Sequence, residues 1–182
     1  MLHHPGNGTN RRQFLSAATA VAGSALVTAP LQGRAAVPLT ELTAVQAVRA
    51  MRQGDITSES YARALLDRAG SLSQLNAFRT LNTDGLLEAA RAADQQRRSG
   101  VALGLLHGLP VPVKDSVNTR ALPTSNGTAA LRDWQPADDA AVLKPLFAQG
   151  ALLMGKTNIH ELSYGWTSNN GTYGAVHNPY DT

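Results

Sequence analysis

Two short apolar runs, Leu109–Val113 and Ala151–Met154, constrain the fold more than any other feature of this chain. Each has the length of a strand and is too short for a packed helix. Between them, Asn118 to Gly127 carries Pro123, Thr124, Ser125, Asn126 and Gly127 and reads as a loop. Asp138-Asp139 then predicts the cap of a helix containing Val142, Leu143, Leu146 and Phe147, closed by Gly150. Strand, helix, strand in this spacing predicts a parallel crossover and therefore an α/β sheet. Pro110 and Pro112 have no N–H to give to a ladder, which places the first strand at a sheet edge or a strand end.

The residues before Gly100 predict helices. Thr40 can cap one with Leu42, Val45 and Val48 on its apolar side, ended by Gly54. Thr57 or Ser58 opens a second with Tyr61, Leu65 and Leu66. Asn76 to Thr80 reads as a short extended piece. Asp84 opens a third helix through Leu87, Ala90 and Ala93, ending near Gly100. This helical front reads as scaffold, with no chemistry-bearing cluster and no internal repeat.

At 182 residues, 43% apolar and 16% charged, the chain is long enough for one packed domain. It has no cysteine, which excludes disulfides, thiolate zinc sites and a cysteine nucleophile. The formal charge is +3, but Arg11, Arg12 and Arg34 precede the first acidic residue, Glu41, and removing those three leaves zero. The remaining charges are interspersed, whereas a phosphate-binding surface needs a cluster, so no nucleic-acid partner is expected.

The first 36 residues predict a targeting segment. Arg11-Arg12-Gln13-Phe14-Leu15 precedes an Ala-, Val-, Gly- and Thr-rich run from Ser16 to Leu31, and Gly33-Arg34-Ala35 offers small residues for cleavage. The run is too short and too weakly apolar for a stable membrane span. The order resembles a bacterial Tat export signal, which implies the Tat machinery as a partner and a periplasmic or secreted destination for residues 37–182.

Three motifs suggest chemistry. Gly150 to Thr157 satisfies the Walker A expression, but its variable residues Ala151-Leu152-Leu153-Met154 read as the strand itself, not as a phosphate-cradling loop. His160-Glu161 begins like a zinc-binding helix, but Tyr164 occupies the fifth position, and His107, His160 and His177 share no metal-ligand spacing. Lys114 ends the first apolar run and alternates with Asp115 to opposite faces. A lysine at a strand's carboxyl end stands where α/β folds place ligands, and a neutral lysine can act as a general base.

These residues fall in the order of a known family. Gly108 to Asp115, Thr124-Ser125-Asn126-Gly127, Asp139-Ala140, Gly150-Ala151, Met154 to Asn158, Glu161, Thr167 to Asn170, Tyr173-Gly174 and Asn178 to Asp181 resemble the amidase signature family over about Leu39 to Thr182. Ser163 to Asn170 looks most like its indoleacetamide and mandelamide hydrolase branch. The resemblance implies an amidase-signature mixed sheet flanked by helices, represented by its N-terminal portion: the helical front plus a βαβ unit. It implies a Ser–cis-Ser–Lys triad in which Lys114 is the base, its pKa lowered by burial, with both serines and the oxyanion hole beyond Thr182. It implies a small-molecule amide substrate and no metal or organic cofactor. Two alternatives stay open: a truncated, non-catalytic amidase-like fragment, and an amidotransferase glutaminase-like subunit.

Overall fold

The structure is a computed structural model and describes residues 37–181. The export-signal segment of residues 1–36 lies outside the described residues.

Helix α1 spans Ala44–Gln53. Its cap is Thr43, not Thr40, because Gln46 stands three residues on and completes a reciprocal capping box. Leu39–Glu41 forms a separate 3₁₀ turn. The buried side of α1 carries Ala47 and Met51, flanked by Leu42 and Val48. Val45 lies two residues, about 200°, from Ala47 and is 73% exposed. Gly54 stops the helix at φ 83°, in the left-handed region.

Helix α2, Ser58–Ser71, starts at a second capping box made by Thr57 and Ser60. The chain turns at Asn76 into strand β1, Phe78–Leu81, and helix α3 follows over Thr83–Arg98. Asp94 of α3 is buried, and its carboxylate accepts from the N–H groups of Ser58 at 2.8 Å and Glu59 at 3.1 Å. An anion at the positive end of α2 thus joins the two helices. Ala62, Leu86, Ala90 and Met154 form the core between these helices and the sheet.

Strand β2 spans Pro110–Lys114 and strand β3 spans Leu152–Thr157. The sheet order is β1-β3-β2, with β1–β3 antiparallel and β2–β3 parallel. The mixed α/β sheet and the parallel pair agree with the expectation, and among the described residues the proline-bearing β2 is an edge. Ala44–Arg98 supplies the helical front, and β2, a short helix and β3 supply the βαβ unit.

The connecting helix differs from its expected form. Helix α4 covers only Lys144–Ala148, and Val142 is 64% exposed. Pro145 sits in the first turn and lacks the N–H that would bond back to residue 141, so the helix cannot extend upstream. Asp139 instead accepts from the Arg120 N–H at 2.8 Å, holding the loop. No helix among the described residues is long and apolar enough to cross a membrane.

Candidate active site

Lys114 is the last residue of β2 and pairs with Thr157 of β3. Alternation along the strand buries Val113 and Asp115 and leaves Lys114 exposed on the other face. The chain then turns sharply. The Val117 N–H donates to the Lys114 carbonyl at 2.9 Å, and the Asp115 N–H donates to the Thr157 carbonyl at 3.2 Å.

Beneath this turn lies a buried polar cluster. Asp115 is 1% exposed and Lys156 is fully buried. The Asp115 carboxylate accepts from the Ser125 N–H at 3.3 Å and from the Ser125 hydroxyl, while its backbone carbonyl accepts from the Asn126 N–H at 2.9 Å. The Lys156 ammonium lies 3.8 Å from Asp115 Oδ1. It donates to the Val117 carbonyl and to Thr124 Oγ1 at 2.7 Å, with Thr119 Oγ1 at 3.4 Å. A buried charge is tolerable only when paired and hydrogen-bonded, and here it has both.

Burial pushes the Lys156 ammonium down from its ordinary 10.5 to about 8, and the Asp115 carboxylate partly opposes this. The unfolded chain therefore holds the lysine proton up to higher pH than the folded one. Below pH 8 the charging cost is fully present, and it disappears as pH rises towards 10.5. At one pKa unit per 1.36 kcal/mol, wild type should gain on the order of 3 kcal/mol across that window relative to Lys156→Met. Urea unfolding of the two chains from pH 7 to 10.5 measures the difference. A difference independent of pH would show that Lys156 titrates normally.

The segment after β3 folds over the same end of the sheet. Asn170, 3% exposed, donates to the carbonyls of Gly127 at 2.8 Å and Ile159 at 2.9 Å, and accepts from the N–H groups of Thr172 and Tyr173. Asn158 donates to the carbonyls of Asn76 and Gly174, and Asn76 donates in turn to those of Tyr173 and Ala175. The Arg79 guanidinium stacks 4.3 Å from the centre of the Tyr173 ring. The Leu162 N–H donates to the Asn126 carbonyl at 2.8 Å, which ties Leu162 to the residue that follows Ser125. Leu162 and Ser163 both take positive φ, 52° and 57°, and the following Tyr164 and Trp166 stand fully exposed.

The buried lysine with a lowered pKa is Lys156. Lys114 is exposed among the described residues, because the alternation of β2 turns it to the face opposite Asp115. Gly150 to Thr157 forms no phosphate loop, because Leu152–Thr157 is strand and the Lys156 ammonium is consumed inside the protein. Among the described residues no three His, Asp or Glu side chains gather as metal ligands. Thr124, Ser125, Asn158 and Asn170 carry no assigned role in the sequence reading, although all are buried and hydrogen-bonded around the turn. The available signal for Lys156 is a lone cation at the end of an apolar run.

The amidase family model matches residues 60–182, and the chain belongs to that family. It is similar to a glutamyl-tRNA(Gln) amidotransferase subunit of Salinispora arenicola, 36% identical over 144 residues, covering 79% of this chain and 29% of that protein. Among solved structures it resembles the native peptide amidase of Stenotrophomonas maltophilia (TM-score 0.72, 32% identity, 79% of this chain and 31% of that one). It also resembles a bacterial aryl acylamidase of the amidase signature family (TM-score 0.69, 25% identity, 77% and 30%). The chain spans about 30% of the length of these relatives.

Proposed function

We propose that this chain is the lysine-bearing N-terminal part of an exported amide hydrolase of the Ser–cis-Ser–Lys type. The observation that carries the reading is the placement of Lys114, exposed at the end of β2, on a turn held by buried hydrogen bonds. In this reading Lys114 takes a proton from the bridging serine, which takes one from the nucleophilic serine. The nucleophile attacks the amide carbonyl, ammonia or an amine leaves with a proton, and water releases the carboxylic acid from the acyl-enzyme. The two serines belong to the remaining length of the family domain.

The proposed substrates are aryl-acetic amides of the indoleacetamide and mandelamide kind. Support comes from the Ser163–Asn170 motif and from Tyr164 and Trp166 within it, which offer exposed aromatic surface. The 182-residue chain alone is proposed to be inactive. Of the serines after Lys114, Ser125 is 1% exposed and its hydroxyl is committed to Asp115. The export reading rests on Arg11-Arg12 and the run that follows them.

The test is hydrolysis of indole-3-acetamide by the full-length protein, compared with the isolated 182-residue chain under a fluorophosphonate probe. The full-length protein should release ammonia and become stoichiometrically labelled, and the short chain should do neither. Labelling of the short chain would overturn the assignment of the serines. A second reading follows from the 36% identity to an amidotransferase component. Ammonia release from glutamine but not from aryl-acetic amides would favour it.

A further inference from the structure

We infer that Lys156 is a positioning residue, whose buried ammonium clamps the turn that aims Lys114; this rests on the reading of Lys114 as the base. Lys114 is exposed, and among the described residues only its backbone makes hydrogen bonds. Its orientation is therefore set by the turn Lys114-Asp115-Ser116-Val117. That turn is held at two points. The Asp115 side chain is gripped by the N–H and hydroxyl of Ser125, and the Val117 carbonyl is gripped by Lys156 Nζ.

Lys156 also reaches Thr124 Oγ1 at 2.7 Å and lies 3.8 Å from Asp115 Oδ1. It thus joins both limbs of the loop, residues 115–117 and 119–125, to the central strand of the sheet. Its neighbour Thr157 pairs with Lys114 and accepts the Asp115 N–H. One residue pair of β3 therefore fixes the turn from both sides of the strand. A reacting group must be held within a fraction of an ångström for efficient proton transfer, so loosening this clamp should slow chemistry more than it weakens substrate binding.

Three variants of the full-length protein test this with indole-3-acetamide, with the folded fraction of each read from urea unfolding. Lys156→Met should lower kcat per folded molecule about tenfold or more while KM changes less than about threefold. Thr124→Val removes one hydroxyl at constant shape and should lower kcat about three- to tenfold with the same split. If Lys156→Met does not fold, Thr124→Val decides. Unchanged kcat per folded molecule with a lower unfolding midpoint, or a change in KM alone, would overturn the clamp and leave Lys156 a stabilising residue only. Lys114→Ala serves as the reference. If it stays active the base assignment itself fails; if it is inactive while both clamp variants turn over normally, only the present inference fails.

Discussion

Lys114→Ala in the full-length protein should reduce amide turnover by several orders of magnitude while leaving the fold intact. A serine hydroxyl is a weak nucleophile without a base, and losses on this scale accompany removal of one member of a concerted triad. The fold should survive because the Lys114 side chain is exposed and pairs with no acid among the described residues. Asp115, Ser125 and Lys156, which do brace this region, remain in place. Circular dichroism and the urea midpoint should match wild type within about 0.5 kcal/mol, as for other exposed substitutions. Near-normal hydrolysis would show that Lys114 is a surface lysine at a strand end.

Asp115→Ala should have the opposite profile, with a large loss of stability. The carboxylate is 1% exposed, accepts twice from Ser125 and faces the buried ammonium of Lys156 at 3.8 Å. Removing it leaves that ammonium in the interior without its counter-charge and the Ser125 N–H without its acceptor. Breaking a buried pair from one side costs about 3–5 kcal/mol, a large share of the roughly 5–15 kcal/mol that hold a typical domain together. Because Asp115 raises the lysine's pKa, the variant's Lys156 should give up its proton at lower pH than in wild type. The deficit measured by urea unfolding at pH 7 should therefore shrink in alkaline buffer, where both chains carry a neutral lysine. A loss below about 1 kcal/mol at pH 7 would mean that solvent reaches the cluster and screens it.

The frame of this fold is readable in the sequence, and physical reasons separate what is readable from what is not. The helix start at Thr57 and the stop at Gly54 follow from local capping chemistry, which needs no tertiary information. The start of α1 lies three residues beyond Thr40 because Thr40 and Thr43 are both competent caps, and only the Gln46 side chain chooses between them. Helix α4 is shorter than the apolar spacing of Val142, Leu143, Leu146 and Phe147 suggests, because Pro145 blocks its upstream turn. In the site, strand alternation places Lys114 and Asp115 on opposite faces, as the sequence implies. Which of those faces packs on the described core depends on β3 and the 119–125 loop, far away in sequence, and that packing also encloses Lys156. Lys156 sits inside the false phosphate-loop match. Its true environment of two threonine hydroxyls, a carbonyl and a carboxylate exists only once the loop folds back on the sheet.

Whether Lys114 activates the serine pair is decided at acylation, the step in which the base acts. Rapid-quench kinetics of the full-length protein on an aryl-acetic anilide isolates that step. Wild type should release a stoichiometric burst of aniline as the acyl-enzyme forms. Lys114→Ala should show no burst, with an acylation rate several orders of magnitude lower. A burst of normal size and rate in Lys114→Ala would contradict the assignment of Lys114 as the base.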